Sequence, residues 1–112
     1  MTRPGDNCGG VAPEFLEALA RANQGTALGY GADDLTASLN TRFSDLFEKQ
    51  VRVFPVATGT AANAISLAAT CSPFGAVYCS PEAHVITAEC NATGFFGSGL
   101  KLTPVAGQHG KL

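Results

Sequence analysis

Val51-Arg52-Val53-Phe54-Pro55-Val56-Ala57-Thr58-Gly59-Thr60-Ala61-Ala62-Asn63-Ala64-Ile65-Ser66-Leu67-Ala68-Ala69-Thr70-Cys71 carries three signals in succession. Val51, Val53, Phe54 and Val56 form an apolar, β-branched run that predicts a strand over 51–56. Thr58-Gly59-Thr60 is a tight turn of small and hydroxyl residues. A helix-forming run then extends over 60–71 and stops at Ser72-Pro73. No charged side chain occurs anywhere from Val53 to Pro81. A helix without charge on any side reads as one covered both by a sheet and by a second layer or a partner subunit.

Outward from this stretch the elements alternate. A helix is predicted over 13–23, with Pro13 at its first position, Glu14 and Glu17 near the positive end and Arg21 near the other. Phe15, Leu16 and Leu19 form its apolar stripe, and Gly25 is its stop. Residues 24–32, with three glycines and Tyr30, read as a loop. A second helix is predicted over 34–48, capped by Asp33 or Asp34, with Leu35, Leu39, Phe43, Leu46 and Phe47 at helical spacing. A strand over 76–80 leads to a loop holding Glu82 and His84, and a short helix follows over 87–92. Gly94, Gly97 and Gly99 form a link to a strand over 100–105. Residues 107–112 read as the approach to another element. Strands alternating with helices predict a parallel α/β sheet.

Composition narrows the function classes. The chain has 112 residues, 46% hydrophobic and only 14% charged, against a usual charged share of about 25%. Such a chain suits a piece of a larger α/β core, or a subunit with large interfaces. Seven basic and nine acidic residues give a net charge of −2, which leaves no basic footprint for nucleic acid. The charge-free stretch is interrupted by Pro55, Gly59, Asn63, Ser66, Pro73 and Gly75. No apolar run therefore approaches the ~20 residues of a membrane span. The N-terminal residues show no apolar signal segment, and the expected location is the cytoplasm. Cys8, Cys71, Cys79 and Cys90 include no CxxC pair. They are expected to be free, mostly buried thiols, with a zinc site at Cys79, His84 and Cys90 as the alternative.

Three places could carry chemistry. At Thr58-Gly59-Thr60 the hydroxyls and the N–H groups of Gly59, Thr60 and Ala61 suit an anion, most often a phosphate. The competing reading is an ordinary turn with Thr60 as a helix cap. The turn is neither a P-loop nor a GxGxxG motif. His84 follows a strand, where an imidazole could stack on a planar cofactor or move a proton, or else be a solvated loop residue. Glu82 and Glu89 are near it in sequence and could orient it, or could be surface carboxylates. Tyr30, flanked by Gly29 and Gly31, has reach from its loop, or else packs over the second helix.

Four segments occur in an order that matches a known family. They are Gly5-Asp6-Asn7-Cys8-Gly9-Gly10-Val11-Ala12-Pro13-Glu14, Gly29-Tyr30-Gly31-Ala32-Asp33, the turn Phe54 to Asn63, and Glu82-Ala83-His84 to Glu89. Together they resemble the N-terminal third of low-specificity threonine aldolases, in the β-eliminating lyase group of fold-type I pyridoxal-phosphate enzymes. The resemblance covers essentially the whole chain. It implies a three-layer α/β/α large domain, present in part, with residues 1–12 as an N-terminal arm and 13–112 as the first portion of the cofactor domain.

The resemblance also implies roles. Thr58, Gly59 and Thr60 would hold the phosphate of pyridoxal 5'-phosphate, and His84 would stack on its ring and serve as acid/base. Tyr30 would lie at the substrate edge of an active site shared between subunits of a homotetramer or dimer. The substrate would be an amino acid such as threonine, cleaved to glycine and an aldehyde. Gly5 stands where the family has a serine that helps bind the substrate carboxylate. The family's Schiff-base lysine, pyridinium-pairing aspartate and carboxylate-binding arginines correspond to positions past Leu112. Lys49, Lys101 and Lys111 do not sit in its lysine motif. The chain alone is therefore expected to be inactive. The alternative from a different class is a non-enzymatic α/β module, or inactive remnant, that binds a phosphate-bearing ligand at Thr58 to Thr60.

Overall fold

A computed structural model describes residues 8–108 and residue 111. Gly5, and the arm before Cys8, lie outside the described residues. The chain divides into two compact units, Met1–Val53 and Phe54–Leu112.

The first unit holds two helices. Helix α1, Pro13–Ala22, begins on the proline and ends at Asn23, whose N–H donates to the Leu19 carbonyl. None of its residues is buried: Phe15, Leu16 and Leu19 are all more than half exposed. Arg21 and Glu17 lie 3.7 Å apart on its open surface, where such a pair adds little. Helix α2, Asp34–Phe47, settles the choice of cap in favour of Asp33. The Thr36 N–H donates to Asp33 Oδ1 at 2.9 Å and the Thr36 hydroxyl to Oδ2 at 2.6 Å. The helix closes on Glu48, in the left-handed region at φ 51°.

The predicted strand over 51–56 does not form. Its backbone donors turn to α2 instead: Val51 N–H bonds Ser44 Oγ at 3.1 Å and Val53 N–H bonds Asn40 Oδ1 at 2.8 Å. Pro55 has no N–H to offer a ladder. A β-branched run becomes a strand only when a second strand accepts its hydrogen bonds, and none of the described strands lies beside it.

The second unit contains helix α3, Gly59–Thr70, strand β1, Ala76–Cys79, helices α4, His84–Thr87, and α5, Ala92–Phe96, and strand β2, Lys101–Pro104. Strands β1 and β2 pair in parallel with Ala76 opposite Lys101 and Cys79 opposite Pro104. This is the parallel crossover that the alternating pattern predicts. Helix α5 packs on α3 and on β2. The core lies among them: Ala64 of α3, Thr93 of α5 and Leu100 before β2 are buried. Gly97 is where a side chain could not fit, because a Cβ would stand 2.6 Å from the Thr93 carbonyl and 2.9 Å from Leu100 Cβ.

Several boundaries differ from expectation. Helix α3 starts one residue early because Thr58, not Thr60, is its cap. It is covered along one strip only, and Ile65 remains 53% exposed. His84 opens a short helix rather than sitting in a loop: Ser80 and Pro81 turn the chain so that the Ala83 carbonyl can start α4. The expected helix over 87–92 does not form: α4 ends at Thr87 and α5 starts at Ala92, and between them Cys90 and Asn91 are left-handed at φ 48° and 58°. Gly94 falls inside α5 rather than in a link. At the C-terminal end, Gln108 and Lys111 form an isolated antiparallel bridge. The thiols are less buried than expected: Cys8 and Cys90 are exposed, Cys71 and Cys79 half-buried. Among the described residues no helix is long and apolar enough to cross a membrane, and no three His, Cys, Asp or Glu side chains cluster to hold a metal.

Candidate functional site

The second unit holds both the Thr58-Gly59-Thr60 turn, at the start of α3, and His84, at the start of α4. Thr58 has extended backbone, and its hydroxyl oxygen accepts from the Ala61 N–H at 3.1 Å. Its carbonyl accepts from the Ala62 N–H at 3.1 Å. These two bonds use up Ala61 and Ala62, so Ala61 is not the third phosphate donor expected from sequence. The N–H groups of Gly59 and Thr60 are left pointing off the positive end of a 12-residue helix. A Cβ at Gly59 would meet nothing within 4 Å, and the residue is not left-handed. Neither packing nor backbone conformation calls for glycine here. Open space over two unpaired N–H groups is the form a phosphate cradle takes.

One turn further along α3, Asn63 donates from Nδ2 to Glu89 Oε1 at 2.6 Å. His84 Nδ1 lies 2.8 Å from the same oxygen. The Glu89 side chain is fully buried, whereas that of His84 is 69% exposed. The His84 bond, and then the Asn63 bond, hold the Glu89 carboxyl below the usual carboxylate range. An ionised carboxylate only accepts, so Nδ1 is the donor in the bond to Oε1 and Nε2 takes no part in it. Glu89 Oε2 and Thr93 Oγ1 are buried without a hydrogen-bond partner.

Of the two acids near His84 in sequence, Glu89 is therefore the one that orients it, and Glu82 is exposed. Asn63 is the residue that sequence reasoning passed over. Its signal was present: the one amide in an uncharged helix of small, apolar and hydroxyl residues needs a polar partner. Tyr30 belongs to the first unit, where it is fully exposed and left-handed at φ 60° between two glycines. Bulky residues seldom hold that conformation without a constraint.

Comparison with known proteins follows the same lines. The family model described as Beta-eliminating lyase matches residues 5–112. The chain is 45% identical over 107 residues to the low specificity L-threonine aldolase of Pseudomonas aeruginosa, and 42% identical to that of a Pseudomonas species. Each match covers 96% of this chain but 31% of the relative, so the chain spans about a third of their length. The structure also matches a threonine aldolase from Leishmania major with a TM-score of 0.76 and 28% identity, over 93% of this chain and 30% of that one.

Proposed function

Since this chain belongs to the β-eliminating lyase family, we propose that it is the N-terminal part of an enzyme that cleaves threonine and related β-hydroxy-α-amino acids to glycine and an aldehyde. The observation that carries this is the start of α3, where Gly59 and Thr60 offer two free N–H groups beneath open space. These residues fit the phosphate of pyridoxal 5'-phosphate. The N–H groups of Gly59 and Thr60 donate to its oxygens, aided by the Thr60 hydroxyl and the helix dipole. When bound, the cofactor supplies an electron sink for the carbanion left as the Cα–Cβ bond breaks.

His84 would stack on the cofactor ring and would take the β-hydroxyl proton at Nε2, the nitrogen not engaged by Glu89. Tyr30 closes the substrate side of a site shared between subunits of a homo-oligomer, a tetramer or dimer, and the enzyme works in the cytoplasm.

The test is made on the full-length enzyme. Added pyridoxal phosphate should give visible absorbance that borohydride fixes to the protein, and threonine should yield glycine and acetaldehyde. Loss of the phosphate group from the cofactor should weaken binding at least 10-fold. A full-length protein that binds no pyridoxal phosphate overturns the proposal.

A further inference from the structure

Glu89 is the buried acid among the described residues. It carries no part in holding the phosphate, yet it contacts both halves of the candidate site: Asn63 on α3 and His84 at the head of α4. Both donors converge on Oε1, and Oε2 has no partner. The hold on the imidazole thus runs through a single carboxylate oxygen in a place closed to water.

The backbone beyond Glu89 is bent to the same end. Cys90 and Asn91 are consecutive non-glycine residues in the left-handed region, a conformation kept only when the surroundings impose it. The Asn91 side chain in turn occupies the space beside Gly94, where a Cβ would stand 2.5 Å from its Oδ1. These residues break what would be one continuous helix and set Glu89 between the two short ones. His84 itself is mostly exposed and has no other recorded side-chain partner. Without Glu89 its ring would be free to turn and to change tautomer.

We propose that Glu89 is a positioning residue. Its carboxylate holds His84 as the Nδ1–H tautomer with Nε2 free to accept a proton, and Asn63 ties that orientation to the phosphate-binding end of α3. The proposal rests on the lyase reading and deepens it: the base is set by a buried carboxylate behind it.

The decisive measurement is the tautomer of His84 in the cofactor-free, full-length wild-type enzyme, from two-bond 1H–15N spectra at mildly alkaline pH, with the signal assigned by His84→Gln. A protonated Nδ1 and an unprotonated Nε2 are expected; the opposite tautomer overturns the proposal. Glu89→Leu should abolish that preference. It should also lower kcat for threonine roughly 10–100-fold, the scale typical of groups that orient a histidine from behind, with a much smaller change in KM. Glu89→Gln, whose amide oxygen can still accept from both donors, should recover most of the loss. If Glu89→Leu fails to fold, Glu89→Gln and the wild-type tautomer still decide. Unchanged kcat and tautomer in a folded Glu89→Leu would refute the role. Failure of the lyase reading is seen separately, as wild-type enzyme that neither binds pyridoxal phosphate nor cleaves threonine.

Discussion

Gly59 shows how a residue's role can be separated from its fold. A methyl group there meets no neighbour, so Gly59→Ala should leave unfolding free energy within about 0.5 kcal/mol of wild type. The same methyl intrudes on the space above the Gly59 and Thr60 N–H groups, and affinity for pyridoxal phosphate should fall at least 10-fold. Denaturant unfolding of the cofactor-free protein, set against a cofactor titration, separates the two effects. Thr58 behaves oppositely. Its hydroxyl closes the first turn of α3, so Thr58→Ala should cost about 1 kcal/mol in the same unfolding measurement, and Thr58→Ser much less. The TGT turn and His84 were legible from residue type and order. The partners that set their geometry were not, because the bond from Asn63 to Glu89 spans 26 positions and no local rule reaches that far.

At the scale of elements, caps and breakers decided most boundaries. Asp33 caps α2 through both of its oxygens, and the Thr36 hydroxyl and then the Thr36 N–H hold its carboxyl below the usual range. The unfolded chain therefore binds this proton more readily than the folded one. The contribution is complete above the ordinary aspartate value of 3.8 and is lost as pH falls through the lower folded value. Glu89 acts in the same direction from its ordinary value of 4.5 downward. Acid titration of stability should thus be shallower in Asp33→Asn, which keeps a cap that does not titrate. An unchanged acid profile would show that the Asp33 bonds are not formed in solution. The missing strand over 51–56 marks the limit of reading single elements. Its residues have strand propensity, but a strand is completed by a neighbour, and here Asn40 and Ser44 claim its N–H groups.

At the scale of the molecule, the apolar content seen in the composition is not spent on a core. Phe15, Leu28, Phe54, Phe74, Phe95 and Phe96 are all more than 60% exposed, while Ala64 and Leu100 are the hydrophobic residues recorded as buried. Each Å² left in water forgoes ~25 cal/mol. The 112-residue chain produced alone should bind an apolar dye, self-associate and melt without a sharp transition. It should release no glycine from threonine. A soluble monomer with a cooperative melt, followed by circular dichroism and light scattering, would contradict this.

Period, caps and turn residues were enough for α1, α2, α3, β1 and β2 and for the parallel alternation, because each depends on neighbours a few positions away. Whether residues 51–56 become a strand, which threonine caps α3, where the short helices break and which acid faces His84 depended on packing in three dimensions. Each of those outcomes turns on a hydrogen-bond partner or a close contact supplied by another part of the chain, and the linear order of residues does not say which groups will meet.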